Sequence, residues 1–344
     1  MRVVRSIKSA LGQLLVFRSR YLIILTLGYV LAASTFMIVR GDWPTPDQFI
    51  IVGLLLAVLL GRPLAFLKDW LPFVAIFLAY EYLRGLAPSL GMSVHVTSLV
   101  QADTFLFGSL PTLTLQNLLY NPAHPEFYDY VFTLVYLIHF TLPLAFGLLL
   151  WVKDRRVFRK YMVAFGVLSI AGFLTYMLYP AMPPWMAAAQ GIIPPVQDIM
   201  GRTIHLFVGG PGLLPTLYRF MAPNQVAAMP SLHAAYPALV YLFAVRVFGK
   251  KGHFFLLYAF TVWIGVIYMA QHWVIDVLVG LVYAFLAFYG TETLWKRRKA
   301  KVAVARGTPA GKVLVEPAAG VVAAEGSAIA PAAVGPNGKR CRMR

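Results

Sequence analysis

The residue types able to do nucleophilic and acid–base chemistry fall in two short stretches, Met229-Pro230-Ser231-Leu232-His233 and Gln271-His272-Trp273-Val274-Ile275-Asp276. Each stands at the start of an apolar run. In the second, a histidine and an aspartate four residues apart share one side of a helix. A carboxylate there accepts the imidazole N–H and fixes its tautomer, which leaves the other ring nitrogen as nucleophile or base. In the first, Pro230 suits the start of a helix and Ser231 its N-cap or first turn. The helix N-terminus that follows offers unpaired N–H groups and a positive dipole end, where an anion can bind. An anion held there would meet His233, an acid able to protonate its leaving oxygen. His272, His233 and Asp276 are therefore the candidate catalytic residues. Taken alone, His-x-x-x-Asp also fits a helix-stabilising hydrogen bond or half a metal site. No carboxylate-rich or cysteine partners accompany it, so no metal is expected.

Composition decides which elements position these residues. Of the 344 residues, 60% are hydrophobic and 12% charged, and the mean hydropathy is +0.72, so the solvent of this chain is lipid. The lone cysteine, Cys341, rules out disulfides within the chain and cysteine-rich metal sites. Apolar runs long enough to cross a bilayer cover 21–39, 50–67, 70–86, 129–151, 161–179, 231–248, 253–270 and 272–294. In lipid such runs must satisfy their backbone internally, so they are helices. The expected fold is an all-α integral membrane protein of about eight transmembrane helices. The run 21–39 has Ala32, Ala33 and Ser34 near its end, as a signal peptide would, but apolar residues continue beyond them and a retained span is expected. Along the chain this gives a basic N-terminus (1–20), the first three spans (21–86), an outer loop (87–128), a catalytic helical core (129–300) that includes a second outer loop (180–230), and a disordered basic tail (301–344).

The net charge of +17 would suggest nucleic acid in a soluble protein, but its distribution gives another origin. Of the 30 Lys and Arg residues, 26 fall in 1–20, 61–69, 152–160, 246–253 and 295–344. Alternate connections are thus basic, which places both termini in the cytoplasm of a multi-pass protein of a bacterial inner membrane or its equivalent. No nucleic-acid partner is expected. The basic run Lys296 to Lys299 reads as a stop-transfer anchor beside membrane lipid headgroups. Two crossings separate His233 from His272, so both face outward. The outer side keeps only Arg40, Arg84, Arg202 and Arg219. Of these, Arg84, Arg202 and Arg219, together with Ser231, are candidates for binding a phosphate, although Glu81 lies one turn from Arg84 and could pair with it. His139, in the middle of a span, reads as a packing or hydrogen-bonding residue.

Pro230-Ser231-Leu232-His233 and His272-x-x-x-Asp276, with 38 residues between the histidines, resemble the second and third motifs of the type 2 phosphatidic acid phosphatase superfamily of membrane enzymes. The resemblance implies a six-helix core with two extra N-terminal helices. Leu232 stands where that family has Gly, Gly265 and Val266 stand where it has Ser-Arg, and its first motif is not found on the outer side. Pro-Ser-Leu-His without the third-motif Arg is similar to the branch containing inositol phosphorylceramide synthases, as is Ala181-Met182-Pro183-Pro184-Trp185. Carried over residue by residue, the resemblance makes His272 the nucleophile that forms a phosphohistidine, Asp276 its orienting group and His233 the acid and then the base. No cofactor is required. The reaction it implies cleaves a lipid phosphoester donor at the outer leaflet and passes the phosphoryl or phospho-headgroup to an alcohol such as inositol or a lipid hydroxyl. With water as acceptor the same site is a lipid phosphatase. A proton-coupled transporter is the rival reading, and it calls for ionisable residues through the depth of the bundle. The sequence concentrates them at its outer boundary.

Overall fold

The structure is a computed structural model and describes residues 53–58, 60–86, 91–139, 141–208 and 224–305. The predicted span 21–39, Arg40, Arg219 and most of the tail lie outside these residues, as does the side chain of Arg84. The described chain folds into helices α1 (Pro63–Leu86), α2 (Thr97–Phe107), α3 (Pro111–Leu119), α4 (Phe127–Leu137), α5 (Thr141–Lys153), α6 (Arg155–Leu178), α7 (Pro184–Ala189), α8 (Ile199–Val208), α9 (Leu232–Phe248), α10 (Phe254–Tyr268) and α11 (Val274–Ala305). Strands are absent among the described residues, as the all-α expectation requires.

Helix α9 is the axis of the bundle, packed against α5, α6, α10 and α11. Its residues Ala235, Leu239, Val240, Phe243 and Ala244 are wholly buried. Tyr236 stacks on Phe165 of α6 with ring centroids 4.4 Å apart, and its hydroxyl meets Ser169 at 2.9 Å. Around this core, α6 exposes Val167, Ile170, Leu174 and Leu178, and α11 exposes Val282, Phe285, Leu286 and Tyr289. Helices apolar on both the packed and the outward face belong in lipid.

Among the described residues, three helical runs are long and apolar enough by themselves to cross a membrane: Arg155–Leu178, Leu232–Tyr268 and Val274–Lys301. The second doubles back. Tyr241 Oη lies 3.1 Å from His253 Nδ1, and Trp263 Nε1 donates to the Ala234 carbonyl at 3.0 Å. Those pairs are 12 and 29 residues apart, whereas a straight helix would separate them by about 18 and 44 Å. The run is therefore a hairpin of α9 and α10, joined by the 3₁₀ turn Gly249–His253.

Some boundaries differ from the sequence pattern. The span expected at 70–86 begins at Pro63, so Asp69 lies inside a helix. The span expected at 272–294 continues to Ala305, because Lys296 to Lys299 and the alanines beyond are good helix formers. The span expected at 129–151 is two helices, α4 and α5, bent by 56°. Pro143 causes the break: it has no N–H for the carbonyl four residues back, that of His139. The two long connections are helical in part, with α2 and α3 in one and α7 and α8 in the other, and α2 packs on α11, α3 on α10 and α8 on α4.

Charge gathers at one end of the bundle. Asp69 accepts from Trp151 Nε1 at 3.0 Å and Arg155 Nε at 2.7 Å and pairs with Arg159 at 3.1 Å. Glu292, near the far end of α11, pairs with Lys160 at 3.1 Å and Arg246 at 3.2 Å. Asp276 lies 16 residues before Glu292 on that helix, about 24 Å away along the axis. The two histidine stretches thus sit at the opposite end.

One close approach sets how α9 and α11 meet there. A Cβ at Gly280 would lie 2.4 Å from the Ser231 carbonyl oxygen, so only glycine lets α11 touch the start of α9. Gly280→Ala is expected to lower stability by about 1–3 kcal/mol, read as a lower melting temperature in detergent. It should also cut turnover, by moving His233 away from His272.

Candidate active site

Three backbone devices bring the histidines together. Ser231 is the N-cap of α9: its buried hydroxyl accepts the Ala234 N–H at 3.2 Å, so its side chain closes the first turn that carries His233. Its own N–H donates to the Asp276 carbonyl at 2.9 Å, tying α9 to α11. On the other side, Ala270 adopts φ 61°, a left-handed conformation that a non-glycine residue holds only where its surroundings fix it. There Trp185 N–H donates to the Ala270 carbonyl at 3.0 Å, and both Gln271 and His272 donate their N–H groups to the Val266 carbonyl. The chain therefore turns sharply between α10 and α11 and points His272 at α9.

The two imidazoles face each other, with His233 Nδ1 3.1 Å from His272 Nε2. His272 Nδ1 lies 2.9 Å from the Ala228 carbonyl oxygen and 3.6 Å from Asp276 Oδ2. A carbonyl can only accept, so Nδ1 carries the hydrogen, and in the neutral imidazole Nε2 keeps its lone pair. It follows that His233 donates its Nδ1–H to that lone pair. The sequence pattern assigned the tautomer to Asp276, whereas the nearer acceptor is Ala228. Asp276, fully buried, stands behind the ring, and its Oδ2 accepts Trp273 N–H at 2.9 Å.

The Ala228 carbonyl is placed by the segment around Ala181. Ala181 N–H donates to Val226 O at 2.7 Å and Ala228 N–H to Ala181 O at 3.1 Å, while His95 N–H donates to Pro180 O and Met182 N–H to His95 O. Trp273 Nε1 donates to Met182 O at 2.7 Å. The Ala181-Met182-Pro183-Pro184-Trp185 stretch is thus threaded between His95 of the first long connection and Val226 to Ala228 at the end of its own, and reaches His272 through Ala228.

Asp103, on α2, has no counterpart in the sequence reading. Fully buried, it accepts Val274 N–H and Ile275 N–H, each at 2.9 Å. With Asp276 on Trp273, carboxylates occupy successive N–H groups at the start of α11, where negative charge suits the helix dipole. Burial raises the Asp103 carboxyl above its ordinary pKa, opposed by the two amide bonds and reinforced by the nearby Asp276 charge.

The departures from the motif pattern have physical counterparts. Leu232 packs on Gly172, where an added Cβ would come within 2.9 Å of its side chain. Phe132 fills the space beside Gly265, 2.8 Å from where a Cβ would stand, and Val266 is wholly buried. Of the candidate phosphate-binding arginines, only Arg202 has a described side chain. Its guanidinium donates to Tyr120 Oη, to Pro122 O at 2.9 Å and to Asn121 O at 3.5 Å, and it lies over the Tyr120 ring. It is held by the first long connection. His139 and Tyr136, which sequence reasoning did not place in the site, lie directly against His233. The available signal was a histidine inside an apolar run, four residues before a proline. Among the described residues, no group of three or more His, Cys, Asp or Glu is arranged to hold a metal ion.

Residues 97–290, more than half of the chain, match the PAP2 superfamily. The chain is 29% identical over 236 residues to the phosphoinositol dihydroceramide synthase of Bacteroides thetaiotaomicron, an alignment covering 63% of this chain and 74% of that protein. It is 26% identical to the inositol phosphorylceramide synthase of Candida albicans over 45% of this chain and 34% of that one. To the inositol phosphorylceramide synthase catalytic subunit of Saccharomyces cerevisiae it is 26% identical over 58% and 50%. The chain therefore spans half or less of these fungal relatives. No solved structure matches. The chain belongs to the PAP2 superfamily and is a membrane enzyme of its phosphotransferase or lipid phosphatase kind.

The Asp103 clamp makes a pH prediction. A carboxyl whose folded pKa is raised contributes stability that is present below its unfolded value and is lost as pH rises through the folded one. Asp103→Asn keeps one acceptor, loses the other and does not titrate. Its melting temperature in detergent should be lower throughout, by about 1–2 kcal/mol in stability. It should also fall less than the wild type's as pH rises through the acid range.

Proposed function

We propose that this enzyme transfers a phospho-headgroup from a lipid phosphodiester to an alcohol through a phosphohistidine on His272. The observation that carries the reading is the pair of imidazoles 3.1 Å apart, one holding a lone pair on Nε2 and the other a hydrogen on Nδ1. In the first step the donor's phosphorus takes the place of the His233 hydrogen in front of His272 Nε2. The N–P bond forms as the P–O bond to the lipid alcohol breaks, and protonated His233 gives its Nδ1 proton to the departing oxygen. In the second step the acceptor hydroxyl gives its proton to His233 and attacks phosphorus. The N–P bond breaks, Nε2 regains its lone pair and His233 is again protonated. Asp276 stands behind His272 to balance the positive charge that the ring carries while phosphorylated.

The names of the relatives favour phosphoinositol as the transferred group and a ceramide-type lipid hydroxyl as acceptor. Ser231 supports the phosphoryl site by holding the first turn of α9. Arg84, Arg202 and Arg219 are the proposed cations for the phosphoryl oxygens, and Arg202 would exchange one loop oxygen for a phosphate oxygen to serve. The charged bundle end, built from segments rich in Lys and Arg, supports a cytoplasmic placement there. The histidines would then lie at the outer leaflet.

The test uses purified protein, phosphatidylinositol labelled in its headgroup phosphate, and a ceramide. The expected result is a new labelled lipid. His272→Ala and His233→Ala should each lower its formation by about 10²–10⁴-fold or more while the protein stays folded in detergent. Label released as free inositol phosphate or inorganic phosphate would make water the acceptor and the enzyme a hydrolase. Full activity in either variant would refute the mechanism.

A further inference from the structure

The bend between α4 and α5 puts a third imidazole into the site. His139 stands at that bend, 7% exposed, where Pro143 stops the helix from running through. Its Nδ1 lies 2.6 Å from the Tyr136 carbonyl oxygen, which must accept, so Nδ1 carries the hydrogen and the ring is fixed in direction. The His139 ring centroid is 3.8 Å from that of His233. The Tyr136 ring lies 4.1 Å from it and within 18° of parallel. Tyr136 and His139 are themselves 5.7 Å apart, so they meet His233 from different directions. His272 meets it from a third, through the hydrogen bond at 3.1 Å.

Resting on the reading of the site given above, we infer that His139 and Tyr136 are positioning residues for the acid–base His233. A general acid must be held within roughly 10–20° of its productive direction, and His233 sits in the first turn of a helix, where its ring could otherwise turn away once substrate displaces the bond to His272. The two rings from α4 and the bend after it close that freedom. An imidazole and a broken helix inside an apolar run are both expensive in a membrane, and at this place they supply a wall that a continuous helix could not. No proton passes through His139 in the reaction as written. Its part is to keep the His233 Nδ1–H on the line to the leaving oxygen.

The experiment compares two donors that carry the same phosphoinositol group, one on an alkyl alcohol and one on 4-nitrophenol. The alkoxide must be protonated as it leaves, whereas the nitrophenolate need not be. Release of the alcohol is followed in a single turnover at saturating donor. His233→Ala should be slow on the alkyl donor and largely rescued on the aryl one. His139→Ala should follow it, losing about 10–100-fold on the alkyl donor and no more than a few-fold on the aryl one. Added to His233→Ala, it should cost nothing further, because a residue acting only through His233 has nothing left to position. His139→Phe retains a ring against His233 without the N–H and should recover part of the loss. It also carries the comparison if the alanine variant does not fold. Equal losses on both donors, or a further loss on top of His233→Ala, would overturn the inference, as would no loss at all. A wild-type protein inactive on both donors, or a His233→Ala variant that is not rescued, would instead overturn the reading of the site on which it rests.

Discussion

The hydrogen bond from His272 Nδ1 to the Ala228 carbonyl is the constraint on which the site depends. It fixes the ring's hydrogen on one nitrogen, and thereby leaves the other open toward His233. Much of what holds this bond in place is remote in sequence. Ala228 is set by its pairing with Ala181, Ala181 lies in a stretch fixed by His95, and Trp273 locks the same stretch through Met182. Four separate segments must come together before one nitrogen is defined. A backbone carbonyl suits this task because it can only accept, so the tautomer does not change with the protonation of a partner.

The start of α11 shows a second use of the backbone. Helix N-termini are good anion sites, and here side-chain carboxylates fill that role from within the protein. Asp276 takes Trp273, and Asp103 takes Val274 and Ile275. The clamp by Asp103 joins α2 to the start of α11, so the connection 87–128 is part of the site's framework. The start of α9 is closed in turn by Ser231. Helix ends that are fully engaged cannot drift, and two imidazoles carried on separate helices stay within hydrogen-bond reach.

Much of this was legible in the sequence because membrane helices are coded by long apolar runs, and because His233, His272 and Asp276 sit where such runs begin. The long helices that carry the site and the N-cap at Ser231 follow from local pattern. What could not be read was tertiary. The acceptor for His272 is a main-chain oxygen, and a carbonyl has no residue type to recognise. Asp103 looks like one polar residue in a loop until α2 is laid against α11. His139 reads as packing in a straight span, and only the bend before Pro143 turns it toward His233. The valine where an arginine is expected is explained only when Val266 is seen wholly buried in one apolar cluster with Ala234, Val262 and Val277.

In the proposed reaction His272 Nε2 bonds to phosphorus during transfer. The stereochemical course at phosphorus tests it most directly. With a donor made chiral at phosphorus by sulfur substitution of a non-bridging oxygen, two successive in-line displacements at the same atom return the original configuration. Retention is therefore expected in the transferred product. Inversion would show that the acceptor attacks the donor directly, and would contradict a phosphohistidine on His272.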